Sequence, residues 1–178
     1  REMKDRDATP AVVAPITSAG LLALPQHRNV AEVSALERRA VSLDCRVVHL
    51  VRSTDGDFHL DCVADDSLSL HELTAEVTPL WRGRPRRTGV DSPGWGYERL
   101  TAVFHPGRGT TTAWEGGPSL VRLTGWLLYD GYGEGMSEAL HTLLGFPRLR
   151  RPTDWEIHPF TKIERWDESL ARWVEVLR

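Results

Sequence analysis

The stretch CRVVHLVRSTDGDFHLDC, residues 45–62, decides the fold of this chain. Its first half, Cys45 to Arg52, is rich in β-branched residues, which favour strands. The dipeptide Asp55-Gly56 follows, and it is preferred in two-residue type I′ hairpin turns because both positions need a positive φ. In the second half, apolar and polar residues alternate, as they do in a half-buried strand. We therefore predict a β-hairpin in which Arg52 faces His59.

This hairpin register also predicts the state of the two cysteines. It places Cys62 opposite His49 and leaves Cys45 opposite Asp66, so a disulfide between the cysteines would need another register. We therefore expect two buried thiols. The sequence contains no CxxC, HExxH or glycine-rich phosphate loop, which removes the strongest metal and nucleotide signatures.

Three more strands are predicted outside the hairpin, at Leu70–Val77, Leu120–Asp130 and Asp154–Arg165. Asn29, with Glu32 three positions later, resembles the start of a capped helix. Beyond the last strand, Leu170, Trp173, Val174 and Leu177 fall on one stripe of a helix, which predicts an amphipathic helix over 167–178.

The order of these elements predicts the architecture. Three strands in a meander, an irregular crossing segment and two further strands are typical of an OB-like, five-stranded antiparallel Greek-key barrel, mainly β with flanking helices. The alternative is an α+β fold with a five-stranded antiparallel sheet. We expect residues 1–40 to form an N-terminal arm and short helix packed on the barrel. Residues 41–178 then form the barrel, with a loop and helix inserted at 131–152 and the C-terminal helix at 167–178.

Composition limits the classes of function. The chain has 178 residues, of which 40% are hydrophobic and 26% charged, so it can bury the core of one domain. The formal net charge of -3 argues against a dedicated duplex-DNA binder. No apolar run approaches the length of a membrane-spanning helix, so we expect a soluble protein of undetermined location.

Charged side chains of three predicted strands share the face opposite the core. Strand alternation places Asp57 and His59 together on the second strand, Glu76 on the third, and Glu156 and His158 together on the fifth. Two imidazoles and several carboxylates are a sufficient ligand set for a divalent ion such as zinc or manganese. A histidine oriented by a carboxylate is also a general acid or base near neutral pH.

This face supplies the candidate site residues. The metal-ligand candidates are His59, Glu76, Glu156 and His158, and the catalytic candidates among them are His59, Glu156 and His158. Arg122 and Thr124, outward on the fourth strand, join Asp57 and Glu76 as ligand-binding candidates, with Arg122 offering a positive group to an anionic substrate. The alternative interpretation is a solvated sheet face stabilised by cross-strand pairs.

Arginine-rich loops suggest a third kind of function. Arginines at 82–87 and 148–151 would attract a single strand of nucleic acid, and tryptophans such as Trp126 would offer stacking surfaces. Net acidity and the scarcity of lysine weaken this interpretation.

Four strings together resemble one family: DGDFHL at 55–60, AEV at 75–77, TGWLLYD at 124–130 and DWEIHP at 154–159. They are similar to a bacterial protein family that carries DGDxHL, a following E-P/V, a TGxxxxD strand and a closing WEIHP. The resemblance covers most of residues 20–165 and implies an OB-like architecture, but no reaction. It points to Asp57, His59, Glu76, Glu156 and His158. The chain departs from the family pattern at 131–152.

Three functional hypotheses follow. The first is an OB-type binding module that holds a protein partner or small anionic ligand on the His/Glu face. The second is a metal-dependent hydrolase, acting on phosphodiesters, that uses the cluster of Asp57, His59, Glu76, Glu156 and His158. The third and weakest is single-stranded nucleic-acid binding through the arginine loops.

Overall fold

A computed structural model describes residues 3, 6, 8–26, 30–52, 58–64, 73–77, 100, 120–130 and 152–176. These contain seven strands: β1 Ala14–Ile16, β2 Ala40–Arg52, β3 Phe58–Ala64, β4 Leu73–Val77, β5 Leu120–Tyr129, β6 Trp155–Asp167 and β7 Arg172–Glu175. They also contain two helices, α1 Ser18–Leu22 and α2 Val30–Glu37. The five strands predicted from the sequence are β2 to β6.

Strands β2 to β6 close into a barrel. Their hydrogen-bonded order is β2-β3-β4-β6-β5, and β5 pairs again with β2. Closure confirms the OB-like barrel and excludes an open five-stranded sheet for this part of the chain. We call the line along which two neighbouring strands pair a seam. The predicted all-antiparallel pairing is wrong at the β4–β6 seam, because these strands run parallel, with Ala75 opposite Ile157.

The hairpin of β2 and β3 has a different register from the predicted one. Arg52 pairs with Phe58 rather than His59, so five residues, 53–57, connect the two strands. A bulge between Val47 and His49 then shifts the register by one more residue. A β-bulge of this kind cannot be inferred from the turn dipeptide, because it lies in the body of the strand.

The observed register of β2 and β3 brings the two cysteines close enough to form a disulfide, so the prediction of two thiols is wrong. Cys45 and Cys62 form a disulfide with their Cα atoms 5.7 Å apart. Cys62 pairs with Val47, and Cys45 pairs with Ala64, which places the two cysteines diagonally on one face. Both cysteines are completely buried.

The barrel interior is filled by aliphatic and aromatic side chains from every barrel strand, and Leu100 joins them from the connection between β4 and β5. Gly125 lies where the backbones of β5 and β6 approach each other closely. A Cβ atom on Gly125 would overlap the carbonyl oxygen of Pro159 and lie 2.6 Å from Cα of Phe160. Glycine is therefore required at this close approach of two backbones.

The N-terminal segment contacts the barrel at several points. β1 runs parallel to β2, with Ala14 opposite Val41. The Nε1 group of Trp155 donates a hydrogen bond of 2.8 Å to the carbonyl of Pro25. The Nε1 group of Trp126 likewise donates to the carbonyl of Ala8 at 2.9 Å.

The predicted C-terminal helix over 167–178 is wrong. The chain turns after β6 and returns as β7, where Trp173 pairs with Trp166. Asp167 initiates the turn, because its carboxylate accepts hydrogen bonds from the backbone N–H groups of Ser169 and Leu170. The rings of Trp166 and Trp173 then meet edge to face, with centroids 5.4 Å apart.

Several predictions lie outside the described residues: the Asp55-Gly56 turn, the inserted segment 131–152 up to residue 151, and both arginine loops. Within the described part of the chain, no helix is long and apolar enough to cross a membrane.

Candidate metal centre

Three neighbouring strands bring polar side chains together at the parallel seam of the barrel. His59 on β3 pairs directly with Glu76 on β4. Ala75 of β4 pairs with Ile157 of β6, so Glu76 lies beside Glu156 and His158. We call His59, Glu76, Glu156 and His158 the His/Glu cluster. The second and fifth predicted strands do not pair, but β4 lies between them and links their side chains through Glu76.

Short contacts connect all four members of the His/Glu cluster. Nδ1 of His158 lies 3.0 Å from Oε2 of Glu76 and 3.0 Å from Oε1 of Glu156. The other oxygen of Glu76, Oε1, lies 3.1 Å from Nδ1 of His59. Glu76 therefore bridges the two imidazoles, and such a carboxylate fixes the orientation of each ring.

The cluster is much more buried than its position in the strand pattern suggested. The side chains of His158, Glu156 and Glu76 are 0%, 2% and 3% exposed, while that of His59 is 23% exposed. The alternative interpretation, a solvated sheet face, is therefore wrong for the three buried residues. Alternation identifies which side of a sheet a residue lies on, but it does not tell whether that side is covered.

The two carboxylates control the charge of His158. Burial alone would lower the pKa of this imidazole, but hydrogen bonds to Glu156 and Glu76 and their negative charge outweigh it. Together they raise the pKa of His158 to about 9. At neutral pH, His158 is therefore an imidazolium whose Nδ1–H donates to both carboxylates.

Donor atoms for a cation are close together in the cluster. One ligand atom from each of Glu76, Glu156 and His158 can be chosen so that all three lie within 4.8 Å of one another. His59 is outside this group of three and contacts it through Glu76. Oxygen and imidazole nitrogen donors suit zinc, manganese and related first-row ions.

Arg122 and Thr124 are not brought to the cluster. Arg122 pairs across the strands with Glu164 of β6, whereas Leu128, six residues along β5, pairs with Glu156. At about 3.3 Å per residue, this separation is roughly 20 Å. Arg122 instead donates to both oxygens of Asp44, at 2.7 and 2.8 Å. Thr124 is nearly buried, and its carbonyl accepts a hydrogen bond from Thr161.

Two structural contributors were missed by the sequence interpretation. Gly125 permits the backbone approach to Pro159 and Phe160, directly after His158. Its signal was present, because a glycine inside a strand often marks such an approach. The disulfide was missed because the predicted register, with a two-residue turn and no bulge, lies two residues away from the observed one at Cys45. Asp57, the remaining candidate, lies outside the described residues.

Comparisons of this chain with protein-family models, with curated proteins and with solved structures find no match.

Proposed function

We propose that this protein is a binding barrel whose ligand is a divalent transition-metal ion, zinc or manganese, held by Glu76, Glu156 and His158. The observation that carries the proposal is the packing of two carboxylates and an imidazole around a common point in a buried site. In this proposal His59 is a positioning residue that orients Glu76 from its other oxygen.

Charge favours a cation at this site. Two carboxylates and one imidazolium give these three groups a net charge of about -1, which attracts a cation and repels an anion. A divalent ion bound by the same carboxylates and a neutral His158 would bring the net charge to about zero. A small anion would instead meet two buried carboxylates, so a cation matches the cluster better than the anionic ligand considered from the sequence.

Donor spacing supports the same conclusion. Ligand atoms about 2.0 Å from a tetrahedral zinc are about 3.3 Å from each other. The Nδ1 atom of His158 lies 3.0 Å from an oxygen of each glutamate, so only a few tenths of an ångström separate the two spacings. The three ligand atoms as a group lie within 4.8 Å of one another, so the side chains would have to move closer together around the ion.

Calorimetric titration tests this proposal. Chelator-treated protein is titrated with Zn²⁺ and Mn²⁺, and we expect one ion per chain. Glu156→Gln should weaken binding at least about tenfold, because it replaces an anionic ligand. His59→Ala should weaken it about 10- to 100-fold, as expected for loss of an outer-sphere partner. Asp44→Asn is the matched control, since it removes an exposed carboxylate outside the cluster and should leave affinity unchanged. Absence of binding by the unsubstituted protein would refute the proposal.

Metal-assisted hydrolysis is a second candidate function, favoured by the partial exposure of His59 beside three deeply buried donors. Three protein ligands leave one position of a tetrahedral ion for water, which is the pattern of catalytic zinc sites. A bound ion would then lower the pKa of that water. Turnover of a nitrophenyl phosphodiester by zinc- or manganese-loaded protein, lost in Glu156→Gln, would support hydrolysis. Metal binding without turnover would leave a binding protein.

A further inference from the structure

Cys45 and Cys62 lie at the seam between β2 and β3, and this seam determines where half of the barrel sits. One side of the ring runs from β2 through β5 to β6, which carries Glu156 and His158. The other side runs from β2 through β3 to β4, which carries Glu76. The His/Glu cluster forms where these two sides meet, so it depends on the register at the β2–β3 seam.

The observed register of β2 and β3 differs from the one that the turn sequence predicted. The straight hairpin favoured by Asp55-Gly56 would place Cys45 opposite Asp66, four residues beyond Cys62. Four residues along a strand span about 13 Å, which is too far for a disulfide. In the structure, the pairing of Arg52 with Phe58 and the bulge between Val47 and His49 each shift the register by one residue. Together they bring Cys45 opposite Ala64, with the Cα atoms of the cysteines 5.7 Å apart, and we call this the bulged register. The disulfide is therefore compatible with the bulged register and incompatible with the straight one.

The difference between the registers reaches the cluster. Cys45 would face residue 66 in one register and faces residue 64 in the other, a displacement of two residues. At about 3.3 Å per residue, β3 would slide by roughly 7 Å relative to the first half of β2. Because β4 is hydrogen-bonded to β3 from Phe58 to Cys62, Glu76 would move with it. The contact of 3.0 Å between Glu76 and His158 would then be lost.

We propose that oxidation of Cys45 and Cys62 is the step that assembles the metal centre, so that the protein acquires its ion only where disulfides form. This inference rests on the proposed metal-binding function. In this step the two thiols form one S–S bond and give up two protons and two electrons. The acceptor is a small-molecule or protein disulfide, which is reduced to two thiols.

Burial fixes the order of events. Both cysteines are completely buried in the closed barrel, so an oxidant or reductant reaches them only when the β2–β3 seam is open. Oxidation therefore precedes closure, and closure precedes binding of the ion. By thermodynamic reciprocity, an ion that prefers the bulged register also favours the disulfide.

The test uses the full chain and Zn²⁺ as the probe. Zinc affinity is measured for the oxidised protein and for Cys45→Ala/Cys62→Ala, which has no thiols that could bind zinc themselves. We expect the double variant to lose at least tenfold in affinity. Leu43→Ala is the matched control, because it removes a buried side chain of β2 but keeps the disulfide, and it should stay within about threefold of the unsubstituted protein. Equal affinity of the double variant and the oxidised protein would overturn the inference while leaving the proposed function intact. Absence of zinc binding in the oxidised protein would overturn the proposed function itself.

A second measurement covers failure of the double variant to fold. The rate at which a phosphine reduces the disulfide is compared in the presence and absence of Zn²⁺. We expect a zinc concentration that just saturates the unsubstituted protein to slow its reduction at least tenfold, and to slow reduction of Glu156→Gln much less because that variant binds zinc more weakly. An unchanged rate in protein that has bound zinc would contradict the inference.

Discussion

Two sets of charged side chains in this barrel follow the same strand pattern but lie in opposite environments. At the β2–β5 seam, Arg122 forms a two-point ion pair with Asp44, and these side chains are 33% and 44% exposed. The Arg122 guanidinium also lies 4.3 Å from the ring centroid of Trp173. At the β4–β6 seam, the His/Glu cluster places His158 between two carboxylates and away from solvent. The comparison teaches that burial, and not charge pattern, separates a surface ion pair from a candidate site.

Removing the positively charged side chain should affect stability very differently in the His/Glu cluster and in the Arg122–Asp44 pair. In metal-free protein, His158→Gln leaves two buried carboxylates without their imidazolium and should lower the free energy of unfolding by about 3–5 kcal/mol. Arg122→Gln removes the cation of an exposed pair and should lower it by about 0–1 kcal/mol. Urea denaturation with a chelator present measures both. Equal effects of the two substitutions would abolish the distinction between the two seams.

The pH dependence of the free energy of unfolding should come from the His/Glu cluster. The pKa of His158 is raised from 6.5 to about 9 in the folded protein. A raised pKa means that the stabilising contribution is fully present below pH 6.5 and is lost as the pH rises towards 9. This loss should amount to about 3 kcal/mol in metal-free protein. Denaturation between pH 6 and 10 tests the sign, and His158→Gln should flatten the profile while Arg122→Gln keeps it. A free energy of unfolding that rises from pH 6 to 10 would contradict the assignment of His158 as an imidazolium at neutral pH.

Gly125 should be intolerant of a side chain because the backbone of β6 lies directly against it. Gly125→Ala places a Cβ against the backbone of Pro159 and Phe160 and should destabilise the protein by about 1–3 kcal/mol. Gly20→Ala in α1 is the control, since its nearest neighbours are side-chain atoms 3.2 Å away. Thermal unfolding of the two variants measures the difference. A Gly125→Ala protein as stable as the control would show that the approach of β5 to β6 can relax.

The smallest expected effect concerns the geometry of the exposed pair. Arg122→Lys keeps the charge but loses the two-point contact with Asp44 and much of the stacking on Trp173. We expect a loss below about 1 kcal/mol, diminished further by salt because exposed charges are screened. Denaturation at low and high ionic strength checks this. A loss of stability that does not depend on salt would show that the Arg122–Asp44 pair is less accessible to solvent than its exposed fraction indicates.

The alternation of apolar and polar residues along each strand was sufficient to predict much of the barrel. It located the five barrel strands, and it assigned His59, Glu76, Glu156 and His158 to one side before any topology was known. Glu76 lies beside the other three because β4 is between β3 and β6, and the parallel pairing of β4 with β6 was not predicted from the sequence.

Features that depend on distant contacts were not predictable in the same way. The helical spacing of Leu170, Trp173 and Val174 predicted a helix, but the pairing of Trp173 with Trp166 and the turn at Asp167 produce β7. Tryptophan and valine also favour strands, so periodicity over a short segment was ambiguous. The predicted hairpin register was wrong because it was inferred from two turn residues, whereas the observed pairing has a five-residue connection and a bulge within β2.

X-ray absorption at the zinc edge of the zinc-loaded, oxidised protein tests the central claim most directly. The account predicts a first shell of oxygen and nitrogen atoms at about 2.0 Å, outer-shell scattering from imidazole, and loss of this signal in Glu156→Gln. Sulfur scattering at about 2.3 Å, or an unchanged spectrum in Glu156→Gln, would place the ion elsewhere and contradict the account.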